Sequence, residues 1–262
     1  MTLLSKLIQR FREGLYLKTS FYNLGIGFNV AHISDLHYDN TGKFPLWVQA
    51  PIKNKLMDYA VQILCVTGDI VDKDPEFIKP AFDWLHSLPV NYIIISPGNH
   101  DKYSIDTIIE LLPQYPKIKF FINNNFVYQH LNFICSADRG DKTYYSQFIQ
   151  RFDSLYDSNL LNVVLSHNPN SFLDLDYTHP FIMLSGHTHG GQVCHADFLR
   201  SIFKRFINER KVLCALRINH EHDCFKLQGK YIKNNNTLFI NNGLGTHPPG
   251  RLFCPPMLTI YK

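Results

Sequence analysis

The sequence has no pair of cysteines at CxxC spacing. Its six cysteines (65, 135, 194, 214, 224 and 254) are scattered, so neither a cysteine-pair zinc site nor a dithiol redox motif is written here. Cys65 and Cys135 lie within apolar runs and read as small core residues. The set reads as reduced thiols of a cytosolic protein. No apolar run approaches the ~20 residues of a membrane span. Internal repeats, low-complexity tracts and clear linkers are also missing, so 262 residues read most simply as one domain. Charge of one sign is scarce. The net +4 permits anionic substrates without demanding a nucleic acid. With no separate basic arm or aromatic stacking platform, no nucleic-acid partner is expected. Charged residues at 18% and hydrophobic residues at 45% exclude a disordered chain.

What the chain does have is histidine, thirteen in all, the commonest metal ligand. Two of them stand in the stretch Phe181-Ile-Met-Leu-Ser-Gly-His-Thr-His-Gly-Gly-Gln192. A short apolar run bounded by Gly reads as a buried strand. His187 and His189 then lie at its carboxyl end, where open α/β sheets bind ligands.

That pattern recurs. Strands are expected over residues 28–33, 63–66, 92–95, 161–165, 237–240 and 257–261, with helices over 52–59, 75–88, 105–112 and 144–155. Pro80 is expected to bend or restart the second helix. Residues 118–134 suggest short antiparallel strands. Five strand ends carry metal-competent side chains: Asp35 with His37, Asp69, Asn99 with His100, His167, and His187 with His189. Parallel strands of one sheet would bring these ends to one rim. Singly, each residue has an ordinary reading, Asp69 as a helix cap or Asn99 as a turn residue. Five such ends together point to a metal site.

The donors are carboxylate, amide oxygen and imidazole, which suit Mn, Fe or Zn. Seven are too many for one tetrahedral zinc. They suit two divalent ions that share a bridging carboxylate, the arrangement that stabilises both oxygens of an in-line displacement.

Asp35-Leu-His37, Gly68-Asp69, Gly98-Asn-His-Asp101, His167 and Gly186-His-Thr-His189 resemble the five blocks of the calcineurin-like metallophosphoesterases, in order and in spacing. The resemblance covers residues 28–262. It implies a four-layer α/β/β/α sandwich of two mixed sheets flanked by helices. It also implies that Asp35, His37, Asp69 and His189 hold one metal and that Asp69, Asn99, His167 and His187 hold the other. His100 would lie beside the substrate phosphate and stabilise charge or protonate the leaving oxygen, with Asp101 orienting it. Gly190-Gly-Gln192, Asn242-Gly-Leu-Gly-Thr246, Pro249 and Arg251-Leu-Phe-Cys254 resemble a bacterial branch that includes UDP-2,3-diacylglucosamine hydrolase-like members.

Residues 193–236 depart from that branch and read as a lid-like insertion. Between 197 and 211, Phe198, Leu199, Ile202, Phe203, Phe206 and Ile207 form an apolar stripe among Arg200, Lys204, Arg205, Arg210 and Lys211. Such a stripe covers a core or holds acyl chains. In the second case Phe203 and Phe206, with Arg251, contact a lipid-linked phosphate ester. Residues 1–27 stand apart as an amphipathic start. Leu3, Leu4, Leu7, Ile8 and Phe11 share a helical face beside Lys6, Arg10 and Arg12, which suits either packing on the domain or a membrane surface. The expected enzyme is a phosphodiester or pyrophosphate hydrolase, cytoplasmic or peripheral on the inner membrane. The competing classes are a phosphodiesterase of soluble nucleotides or nucleic acid, and a non-catalytic metal-binding scaffold.

Overall fold

The computed structural model describes residues 16–39, 43–175, 178–191, 228–246, 251 and 254–262. The first sheet runs in the order β1 (Lys18–Tyr22), β12 (Met257–Tyr261), β2 (Asn29–Ile33), β3 (Val61–Thr67), β4 (Tyr92–Ser96) and β5 (Ile118–Phe120). Strands β2 to β5 are parallel, whereas β12 is antiparallel to β2 and parallel to β1. The second sheet runs β10 (Gly229–Lys233), β11 (Asn236–Ile240), β9 (Ile182–Ser185), β8 (Leu161–Leu165), β7 (Leu131–Cys135) and β6 (Asn124–Tyr128). Its four inner strands are parallel and its two edge strands antiparallel.

The central strands are buried on both faces, which is why they read as largely apolar runs, with His32, Asn132 and Asn162 as buried polar exceptions. On β3, Ile63 and Cys65 face the space between the sheets, where they meet Ile94, Phe133, Leu165, Leu184 and Phe239. Leu64 and Val66 face outward. There α1 (Gln49–Asp58), α2 (Ile78–Ser87) and α3 (Ile105–Leu111) pack Ile52, Leu56, Phe82, Leu85 and Ile108 over the first sheet. The other outer face is covered by α4 (Lys142–Leu155) and α5 (Ser171–Asp174). Tyr145, Phe148, Phe152 and Leu155 recur along α4 at helical spacing and meet Ile134, Val164 and Met183. The Asp141 side chain caps α4 by accepting a hydrogen bond from the Tyr144 N–H. Each large apolar side chain buried in these layers stabilises the fold by about 1.5–3 kcal/mol. The architecture is α/β/β/α, two mixed sheets flanked by helices, as expected.

Four details differ from the sequence expectation. Strand β5 is parallel to β4 and closes the first sheet, while the β6–β7 hairpin opens the second, so residues 118–134 change sheets partway. The stretch expected as one helix over 75–88 divides, with a 3-10 turn at Pro75–Phe77 and α2 restarting at Ile78, so Pro80 falls in the first turn of α2, where its missing N–H costs nothing. Strands β1 and β10 were not foreseen. Both are edge strands with alternating exposure and little apolar continuity. Lastly, the histidine- and carboxylate-bearing ends belong to both sheets. β2, β3 and β4 supply one set and β8 and β9 the other, and the sheets meet at that pole. Cys65, Cys135 and Cys254 are buried free thiols. No helix among the described residues is long and apolar enough to cross a membrane.

Candidate metal centre

Each strand at this pole ends in an abrupt turn. Asp35, His37, Asp69, His187 and His189 all have left-handed backbone, with φ of 49°, 46°, 53°, 69° and 50°. Non-glycine residues held there cost of order 1–3 kcal/mol each, and such strain gathers at functional sites. The turns aim the side chains inward. Neighbouring glycines leave room: a Cβ at Gly186 would overlap Ser34 Oγ and Asp35 Oδ2, and one at Gly98 would overlap Asp69 Oδ1.

All seven side chains proposed as ligands come together. In one group His37 Nε2 lies 3.1 Å from His189 Nε2 and 3.5 Å from Asp69 Oδ2, and His189 Nε2 lies 3.6 Å from Asp35 Oδ1. In the other, His167 Nε2 lies 3.3 Å from Asp69 Oδ2, and Asn99 Oδ1 is 3.1 Å from both His167 Nε2 and His187 Nδ1. The His187 and His167 nitrogens are themselves 3.1 Å apart. Donors about 2.1 Å from an ion stand roughly 3.0–3.4 Å from one another, so these spacings fit coordination. Asp69 Oδ2 is common to both groups.

The ring orientations agree. His167 Nδ1 is 2.8 Å from the Thr67 carbonyl and donates to it, which leaves Nε2 as the ring atom that faces the cluster. His37 Nδ1 lies 3.4 Å from Asp72 Oδ1, on the side of the ring away from the cluster. Burial pushes the Asp35 carboxyl above its ordinary value. Burial acts the same way on Asp69, yet the charges of His167 and His37 outweigh it and hold that carboxyl well below its ordinary value. Burial lowers His167, and the Asp69 carboxylate more than reverses this. Buried carboxylates and facing imidazoles of this kind suit divalent cations.

Residues 28–191 match the model of the calcineurin-like phosphoesterases. The chain belongs to this family. It is similar to the uncharacterized metallophosphoesterase Cj0846 of Campylobacter jejuni, with 26% identity over 76% of this chain and 49% of that protein. It is also similar to the uncharacterized metallophosphoesterase YkoQ of Bacillus subtilis, with 27% identity over 63% of this chain and 62% of that protein. It thus spans half to three-fifths of those relatives. Among solved structures, calcineurin-like phosphoesterase YfkN from Bacillus subtilis has a TM-score of 0.40 at 11% identity, covering 62% of this chain and 72% of that one.

His100 and Asp101 are held differently from the sequence expectation. Asp101 was expected to orient His100. Its carboxylate instead accepts hydrogen bonds from the backbone N–H groups of Asp69, Ile70 and Gly98, each at 2.8 Å. It therefore ties the β3 loop to the β4 loop. The partner at the His100 ring is Asp72, with its carbonyl 2.5 Å and its Oδ1 3.0 Å from His100 Nδ1. Asp72 also pairs with Lys43. It was missed because it lies five residues beyond the end of β3, three past Asp69. The spacing Gly68-Asp69-x-x-Asp72 is the signal that could have found it. The His100 N–H donates to Asp69 Oδ1 at 2.9 Å, which fixes the histidine beside the first group.

Arg251 was expected at the substrate. Its guanidinium donates to the Gly245 carbonyl at 2.9 Å and lies 3.4 Å from the His189 carbonyl, so it clamps the loop that carries His189. Phe203 and Phe206 lie outside the described residues, as do residues 1–15 and the remainder of the 197–211 stripe.

Proposed function

We propose that this chain is a two-metal phosphoesterase that hydrolyses a phosphodiester or pyrophosphate bond. The observation that carries the reading is Asp69 Oδ2, 3.5 Å from His37 Nε2 and 3.3 Å from His167 Nε2, where one carboxylate oxygen serves two donor groups. Asp35, His37, Asp69 and His189 would hold one divalent ion, and Asp69, Asn99, His167 and His187 the other, drawn from Mn, Fe or Zn. Such a pair supplies a water activated near neutral pH and charge stabilisation of both oxygens in an in-line displacement. The protein's own share falls to His100. Held by Asp72 and fixed by its N–H to Asp69, His100 would stabilise the developing charge or protonate the leaving oxygen. Asp101 would act through the backbone, keeping the two loops in register. Arg251 would act through His189.

The favoured substrate is a lipid-linked nucleotide, with UDP-2,3-diacylglucosamine as the leading case. Support comes from the branch resemblance and from the apolar and basic residues between 197 and 211. The experiment is hydrolysis of phosphomonoesters, soluble diesters and acylated nucleotide pyrophosphates with defined Mn, Fe and Zn. Preference for the acylated pyrophosphate supports the reading. Equal rates on soluble and acylated substrates would remove the lipid, and no hydrolysis with any metal would remove the enzyme.

A further inference from the structure

The pole that bears the metal centre is also where the described surface exposes most of its large apolar side chains. Tyr16, Leu46, Trp47, Tyr103, Tyr144 and Leu173 make up six of eleven such residues. All six lie on connections at the carboxyl ends of β2, β4, β7 and β8, or just before β1 at the same pole. Leu46 and Trp47, 63% and 42% exposed, form the turn that opens α1, a few residues after Lys43. Tyr103, 56% exposed, lies three residues after His100, with the Lys102 ammonium 4.8 Å from its ring centroid.

Two stretches that adjoin this pole in sequence are basic. Residues 1–15 hold Lys6, Arg10 and Arg12 against Glu13 alone, and residues 192–227 hold seven Lys or Arg against four Asp or Glu. These two stretches account for the whole positive excess of the protein. Both join the described fold at the metal-bearing pole. Lys18 pairs with Met257, whose N–H reaches the Gly243 carbonyl beside Asp35. Gly191 follows His189, and Gly229 pairs with Ile240 at the carboxyl end of β11. Aromatic side chains with a polar handle settle at the level of lipid headgroups, and basic segments are drawn to anionic lipid.

We infer that this pole is a membrane-docking surface, on which Leu46, Trp47 and Tyr103 enter the headgroup layer of an anionic bilayer and present the metal centre to it. The inference rests on the lipid-linked reading of the substrate for its purpose, but its test does not depend on hydrolysis of a lipid. The protein has two tryptophans, and Trp84 is only 8% exposed within the core, so Trp47 reports on the surface.

The full chain is mixed with vesicles of phosphatidylcholine, with and without phosphatidylglycerol. Sedimentation should show about tenfold or greater preference for the anionic vesicles at low salt, weakening as salt rises. Tryptophan emission should shift to the blue and be quenched by brominated acyl chains, and Trp47→Phe should abolish both changes. The double variant Leu46→Glu, Trp47→Glu should lower partitioning by about tenfold while hydrolysing a soluble diester at the wild-type rate. Absence of anionic-vesicle binding overturns the inference. So does binding that leaves Trp47 emission unchanged, or Trp47 emission already blue in buffer and insensitive to vesicles, since another face or the protein's own chain would then account for the result. Failure of the wild type to hydrolyse any soluble diester would instead strike the proposed activity and leave the vesicle result standing.

Discussion

Acid should unfold this protein earlier than its His32→Gln variant. His32 lies on β2, fully buried, with Nε2 2.8 Å from Thr67 Oγ1 and Nδ1 3.5 Å from the Tyr261 hydroxyl. Burial lowers its pKa from 6.5 to about 3. Above pH ~6.5 the ring is neutral in both the folded and the unfolded chain. Below that, the unfolded chain takes up a proton that the folded one refuses. Stability from this group is therefore complete above pH ~6.5, falls as pH drops, and levels out near the folded pKa. At pH ~5 the loss is about 2 kcal/mol. Gln keeps an amide within reach of Thr67 and does not titrate. Urea midpoints of both proteins at pH ~7.5 and pH ~5 give the answer, because the other histidines titrate in both and cancel in the difference. The wild type should lose about 2 kcal/mol more than the variant. An equal acid shift in the two proteins would refute the reasoning and mean that His32 is hydrated in the fold.

His100→Ala should keep its metal content and lose about 10²–10⁴-fold in turnover, the range for a lost acid or charge-stabilising group. Unchanged turnover would remove His100 from the reaction. Asp101→Ala should cost about 3 kcal/mol or more in urea unfolding, because three backbone donors at 2.8 Å lose their acceptor at ~1–3 kcal/mol each. A variant of wild-type stability but reduced turnover would restore Asp101 to orienting His100. Gly186→Ala should cost about 1–3 kcal/mol and weaken one metal by calorimetric titration, since the new Cβ meets Ser34 Oγ and Asp35 Oδ2. Unaltered affinity would show that the loop shifts freely.

Much of the fold was legible because its central strands are buried on both faces. The run Ile63–Val66 has no polar interruption and Leu161–Leu165 has one, Asn162, and a strand is the short element that tolerates this. The seven donors were legible for a related reason, since each interrupts such a run at its end. Edge strands gave no such signal. β1 and β10 mix exposed and half-buried residues, and β5, three residues long, shows nothing to distinguish parallel from antiparallel pairing. The assignment of donor ends to two sheets was equally hidden, because a sequence records where strands end but not which sheet they join. The backbone role of Asp101 depends on how two loops face each other across β3 and β4, a relation no local spacing encodes.

The central claim is that one carboxylate, Asp69, joins two metal ions. The most direct measurement is metal content per chain by elemental analysis, after saturation with Mn and removal of free ion, for wild type, Asp35→Ala, His167→Ala and Asp69→Ala. The wild type should hold two ions, Asp35→Ala and His167→Ala should each lose one, and Asp69→Ala should lose both. Saturated wild type with a single ion, or Asp69→Ala retaining both, would contradict the account.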